Sequence, residues 1–280
     1  MKVGVMVPHG NGEEMQGRFA AIRREGFSSC QLVSWDPALW TEENAQAVQT
    51  ACRDTGVTLS AFWCGWEGPK VWDFYGGQET LGLVPPAYRF ARMKNLMDGA
   101  DYAARLGVRD VVSHMGYIPE NPYDPAYSGF IQAMKEVAGH LRKNGQFLLF
   151  ESGQETPVTL LRAFEDIGCE NLGINLDTAN LILYGKANPV DALCVIGRWV
   201  RGVHAKDGLY PVNGRELGQE VPIGQGKVDF ARFIHELTVL GYNGDLTIER
   251  EIEGEEQIRD IRAARDYLEK LIQKEAGVHA

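Results

Sequence analysis

The chain has 280 residues, 44% of them hydrophobic, and carries 28 basic against 38 acidic residues for a formal net charge of −10. A chain of this size buries roughly three quarters of its unfolded surface, and α/β barrels run to about 250 residues as one unit, so one domain over residues 1–280 is expected. The acidic balance disfavours nucleic acid, whose phosphates call for a basic face, and no apolar stretch approaches the ~18 residues that span a bilayer.

The first residues, Met1-Lys2-Val3-Gly4-Val5-Met6-Val7, read straight into a strand, with no long apolar signal region. From there short β-branched or apolar runs alternate with longer segments of helical period, eight of each. The predicted strands cover 2–7, 29–34, 58–64, 110–114, 147–151, 173–177, 201–204 and 246–249. Several helices carry readable punctuation. Thr156-Pro157 opens one, with the hydroxyl as N-cap and proline at the first helical position, and Gly168 closes it. Asn188-Pro189 opens the next in the same manner. Asp229 caps a third, in which Phe230, Phe233, Ile234, Leu237 and Leu240 keep the 3.6-residue period before Gly241 ends it. A last helix, about 255–275, places Ile258, Ile261, Leu268, Leu271 and Ile272 on one face. No low-complexity linker or charge block marks a boundary. The five cysteines, at positions 30, 52, 64, 169 and 194, form no Cys-x-x-Cys pair and read as reduced thiols of a cytoplasmic protein.

Eight strand–helix units predict a (β/α)8 TIM barrel, a closed parallel eight-stranded barrel. An open doubly wound sheet is the alternative that alternation alone leaves standing. Four polar residues bear on the choice: Glu151, Asp177, His204 and Glu249 each end an apolar run. A carboxylate or imidazole at such a tip is unfavourable unless it emerges where something binds it. In a barrel the C-terminal strand ends converge, so closure would gather these four at one mouth. Two Glu, one Asp and one His form a hard, oxygen-rich ligand set suited to a divalent cation. A Gly-rich loop, 208–227, is expected to cross that mouth.

The stretch Glu151-Ser152-Gly153-Gln154-Glu155-Thr156-Pro157, with Asn171-Leu172-Gly173-Ile174-Asn175-Leu176-Asp177-Thr178-Ala179-Asn180-Leu181 after it, resembles the sugar phosphate isomerase/epimerase family of xylose isomerase-like barrels. Val203-His204-Ala205-Lys206-Asp207, Pro222-Ile223-Gly224-Gln225-Gly226-Lys227-Val228-Asp229 and Gly241-Tyr242-Asn243-Gly244-Asp245-Leu246-Thr247-Ile248-Glu249 carry the same likeness. The match is detailed over strands five to eight and looser in the first half, where Ser113-His114-Met115-Gly116 ends strand four.

The resemblance implies one divalent metal ion (Mn, Mg, Co or Zn) held by Glu151, Asp177, His204 and Glu249. It implies a small-molecule sugar or sugar phosphate as partner. The family chemistry is proton removal beside a carbonyl, with a metal stabilising the enediolate and two glutamates as acid and base; Glu151 and Glu249 take those roles here. His114, Asn180, Lys206, Trp66, Glu67 and His9 are the expected substrate contacts, with Trp63, Trp66 and Trp72 as an apolar wall and Trp63 equally readable as core. His140 and His235 are expected to face solvent or pack. Two positions depart from the epimerases of free ketoses: Asn180 stands where they carry His, and Tyr210 where they often carry Arg. Gly224-Gln225-Gly226-Lys227 could supply amides and one charge to a phosphate. The alternative activity is a lyase that dehydrates a keto-sugar or inosose on the same site. A sugar-binding barrel without turnover is disfavoured by the two proton-transfer glutamates. An apurinic endonuclease is disfavoured, because the additional histidines of a trinuclear zinc centre are missing at Asn180 and in the 208–227 loop. Apolar positions near Trp72, Phe74 and Tyr75 could join a homo-oligomer contact.

Overall fold

A run such as Phe147-Leu148-Leu149-Phe150 is apolar on both faces, as a parallel strand must be when helices cover one side and the barrel interior the other. The computed structural model, which describes residues 1–278, builds ten strands in chain order. They are β1 (Lys2–Pro8), β2 (Ser29–Ser34), β3 (Thr58–Cys64), β4 (Asp110–Ser113), β5 (Phe147–Glu151), β6 (Leu172–Asp177), β7 (Val200–Ala205), β8 (Asp207–Leu209), β9 (Gln219–Val221) and β10 (Asp245–Ile248). Eight of them close a parallel barrel in the order β1-β10-β7-β6-β5-β4-β3-β2, which leaves that sheet without an edge. The closed (β/α)8 barrel therefore replaces the open-sheet alternative. β8 and β9 form a separate antiparallel ribbon in the loop after β7.

The surrounding helices are α1 (Gly12–Arg24), α2 (Glu42–Thr55), α3 (Gly76–Thr80), α4 (Pro86–Arg105), α5 (Pro125–Lys143), α6 (Pro157–Ile167), α7 (Asn180–Leu183), α8 (Pro189–Ile196), α9 (Phe230–Val239) and α10 (Glu255–Val278). The expected caps form: Thr156 Oγ1 accepts from Thr159 N at 3.2 Å, Asn188 Oδ1 from Val190 N at 2.9 Å and Asp229 Oδ1 from Arg232 N at 3.0 Å. Gly168 ends α6 at φ +64°, a left-handed conformation open to glycine at little cost. α3, α7 and the β8–β9 ribbon are additions to the sequence pattern, because pieces this short show no period. Two apolar positions differ from expectation: Ile258, in the first turn of α10, and Leu240, at the end of α9, stay 45% and 47% exposed. Helix ends overhang the strands they cover, so their side chains miss the core.

Alternation sorts the strands between two layers. Val3, Val5 and Val7 join the large core between barrel and helices. Met6 packs with Ala61, Trp63, Val112 and Leu149 in the barrel interior. Gly202 lets β7 pass Asn175 closely; a methyl group there would collide with the Asn175 amide oxygen. No helix among the described residues is long and apolar enough to cross a membrane.

Candidate active site and metal centre

Parallel pairing brings the four strand-end residues to one place. Asp177 and His204 are register partners across β6 and β7. Glu151 ends β5, and Glu249, one residue past β10, is tied back by its amide to Ala205 O at 3.2 Å. One ligand atom from each of Glu151, Asp177, His204 and Glu249 lies within 4.8 Å of all the others. Glu151, Asp177 and His204 are buried, and the Glu249 side chain is 14% exposed.

His204 is oriented from behind. Its Nε2 lies 2.6 Å from Gln31 Oε1, and the Gln31 amide nitrogen in turn donates to Asn175 Oδ1 at 3.5 Å. With Gln31 presenting its oxygen, Nε2 is the N–H donor and Nδ1 is turned to the carboxylates. Nδ1 lies 2.8 Å from Glu151 Oε1, 3.4 Å from Glu249 Oε2 and 3.8 Å from Asp177 Oδ2. Asp177 Oδ1 accepts from the amide of Asn180 at 2.7 Å, whereas its Oδ2 is buried with no hydrogen-bond partner. A buried carboxylate oxygen without a donor is costly by about 1–3 kcal/mol or more. Three carboxylates, one correctly presented imidazole nitrogen and an oxygen lacking a donor fit a hard divalent cation.

The carboxylates are held apart by different partners. Trp63 Nε1 donates to Glu151 Oε2, and His114 Nε2 lies 3.4 Å from the same oxygen. Burial opposes ionisation of Glu151, but His114 and His204 outweigh it and hold the carboxyl below its ordinary value. Lys206, itself 1% exposed, sets its ammonium 3.2 Å from Glu249 Oε2, 2.9 Å from Glu251 Oε2 and 3.8 Å from Asp177 Oδ2. Burial disfavours that charge too, yet Glu249, Glu251 and Asp177 raise the Lys206 ammonium well above its usual range. Burial pushes Asp177 up to about 7, with Lys206 opposing.

Above the quartet opens a cavity of about 340 Å³, within the size range of ligand pockets. Its walls are Met6, Val33, Trp35, Trp63, Trp72, His114, Asn180, Leu183, Tyr184 and Leu217, and its acids are Glu151, Glu249 and Glu251. Of the residues expected to touch substrate, His114 and Asn180 line it. Lys206 sits behind the wall, bound to the carboxylates. Trp66 is 2% exposed and backs the lining, 5.3 Å from Trp35 and 6.3 Å from both Trp63 and Trp72 between ring centroids. Glu67 is exposed and outside the cavity. His9 is bonded at both nitrogens, to Ser34 Oγ and Tyr102 Oη at 3.0 Å each, and burial lowers its pKa to about 4. It is a satisfied interior histidine. Trp63 is both wall and core, and Trp72 turns its half-exposed ring into the mouth. Tyr210 is 39% exposed and its hydroxyl donates to Ala187 O at 3.4 Å, away from the lining. His140 pairs with Asp101 at 2.7 Å on the helical layer.

Gln31, Trp35, Tyr184, Leu217 and Glu251 escaped the sequence reading. Gln31 left a signal, a lone amide inside the apolar run Cys30-Gln31-Leu32-Val33. The others lie on loops, where no period marks a face. The Gly224–Gly226 segment is not an open phosphate site. The Asp207 carboxylate accepts from the amides of Gly224, Gly226 and Val228 at 2.9, 2.9 and 3.1 Å, and from its neighbour Gly208 at 2.9 Å. Those amides are already occupied by an internal anion.

Fold and site define a (β/α)8 barrel with a carboxylate–histidine quartet at the C-terminal mouth. The profile of the xylose isomerase-like TIM barrel family matches residues 19–271, and the chain belongs to that family. A xylose isomerase domain protein from Planctomyces limnophilus is similar over 98% of both chains, with 34% identity and a TM-score of 0.91. An uncharacterized protein from Methanocaldococcus jannaschii is 28% identical over 189 residues, 64% of this chain and 61% of that one. Escherichia coli SgbU, provisionally named L-ribulose-5-phosphate 3-epimerase, is 36% identical over 104 residues, 36% of this chain and 35% of its own. The chain thus spans less than two thirds of the length of these curated relatives.

Proposed function

We propose that the protein is a divalent-metal-dependent isomerase or epimerase of a small sugar or sugar phosphate. The carrying observation is the convergence of Glu151, Asp177, His204 and Glu249 on one point beneath the cavity, with Asp177 Oδ2 lacking a donor. The name of the E. coli relative supports the reaction type. A divalent cation bound by the four would act as a Lewis acid toward the sugar's carbonyl and hydroxyl oxygens and favour the enediolate.

The chain's own groups supply the proton movement. Glu151 and Glu249 both open on the cavity, from β5 and from just beyond β10, two strands that are not neighbours in the barrel. A sugar between them offers one face to each. One of the two, as carboxylate, takes the proton beside the carbonyl, and the other, protonated from water beforehand, delivers its own proton from the opposite side and inverts the centre; exchange with water then resets the pair. Trp63 and His114 fix Glu151, and Lys206 fixes Glu249, so each presents its oxygen without swinging. The Asn180 amide can bond a sugar oxygen but cannot serve as an acid or base.

The test is incubation with a ketose panel and Mn²⁺ in D₂O. Deuterium at the carbon beside the carbonyl, with epimer or isomer formed, is the expected result. Water loss with a new enone would replace the isomerase by a lyase, and no exchange on any sugar would overturn enzymatic turnover.

A further inference from the structure

Resting on the reading of this site as a sugar site, we infer that its substrate is an unphosphorylated sugar, held by its C–H faces against an indole wall. Three observations carry this. The first is the wall. Trp35 and Trp63 lie 4.7 Å apart between ring centroids, Trp72 lies 4.9 Å from His114, and all four line the cavity. Indole faces pack against the apolar C–H surface of a sugar ring, while the hydroxyls at its edge reach Asn180 and the quartet.

The second is charge. Glu151, Glu249 and Glu251 open on the cavity, and its lining residues include neither Lys nor Arg. The nearest enclosed cation, Lys206, is engaged by Glu249, Glu251 and Asp177. Lys70 lies 4.8 Å from the centroid of the Trp35 ring, but it is exposed and outside the lining. Even with a divalent cation on the quartet, Glu151, Asp177, Glu249 and Glu251 outnumber the positive charges, and a phosphate entering here would bring about two more negative charges to a lining without a guanidinium or ammonium to receive them. The third is the loop at the mouth, whose amides at Gly224, Gly226 and Val228 already hold the Asp207 carboxylate. The usual backbone nest for a phosphate is thereby filled from within.

The experiment compares L-ribulose with L-ribulose 5-phosphate and D-fructose with D-fructose 6-phosphate on the Mg²⁺-loaded protein at constant ionic strength. Binding is followed by quenching of tryptophan fluorescence, turnover by deuterium incorporation. Each free sugar is expected to bind at least tenfold tighter than its phosphate. Equal or tighter binding of the phosphates, or saturable binding of neither class, would overturn the inference. Binding of the free sugars without exchange would retire the isomerase reading and leave the substrate class standing. Exchange on the phosphates alone would do the reverse. Leu217→Arg places a guanidinium on the wall and is expected to narrow the preference at least tenfold; an unchanged ratio in the folded variant would overturn the charge argument.

Discussion

The two ends of the barrel bury polar side chains in different ways. At the N-terminal end, Arg201 pairs with Asp110 at 3.0 Å and lays its guanidinium 3.6 Å from the centroid of the Phe147 ring. Asp245 accepts from the Ser29 hydroxyl and faces the Lys2 ammonium at 3.8 Å. Each charge there meets a donor or an opposite charge, around a hollow of about 210 Å³. At the C-terminal end, Glu151, Asp177, Glu249 and Glu251 converge on Lys206 and His204, and Asp177 Oδ2 has no donor. Burial of polar groups is thus no sign of function by itself. A charge imbalance in the interior is, because folding alone gives it no return.

Five substitutions test that contrast, beginning with the largest effect. Glu151→Gln or Glu249→Gln is expected to lower turnover by about 10²–10⁴-fold, with an unchanged circular dichroism spectrum; full activity in either would break the comparison at its centre. His9→Gln addresses a buried histidine that the contrast places outside the site. Its pKa in the fold is about 4, against 6.5 in the unfolded chain. Between those values the unfolded state binds the proton and the native state does not, so stability falls as pH drops from 6.5 toward 4. The ceiling is about 3 kcal/mol at 1.36 kcal/mol per unit. Urea unfolding of His9→Gln at pH 7 and pH 4.5 is expected to show a shallower loss than the parent.

Gln31→Leu removes the acceptor behind His204 and is expected to weaken metal binding by about 10–100-fold, read by calorimetric titration with Mn²⁺. Unchanged affinity would show that the imidazole is oriented without Gln31. Arg201→Ala, at the other end, is expected to cost about 1 kcal/mol of stability, since the pair is partly exposed, while metal affinity stays the same. A drop in affinity there would mean that the two ends are coupled.

Much of the fold was legible because burial repeats locally. The apolar runs and the caps at Thr156, Asn188 and Asp229 placed most elements, and the boundary shifts are of a residue or so, as where Glu249 falls just past β10. The quartet was legible for a related reason: each member is a polar residue ending an apolar run. Its neighbours were harder. His9 and His114 each follow a strand, yet Tyr102 and Ser34 satisfy the first while the second lines the cavity. Lys206 reads as a mouth residue, but the fold turns its ammonium into a cage of carboxylates.

By itself the sequence determined the strand–helix alternation, the four polar residue types of the quartet and their positions at strand ends, because these depend on the order of residues along one segment. Only the tertiary structure decided which charges are answered. Gln31 meets His204 across the barrel, Trp63 meets Glu151, and Asp207 fills the amides of a loop 17–21 residues away. The partner of a buried charge is set by closure of the barrel, and closure joins residues that no local pattern connects.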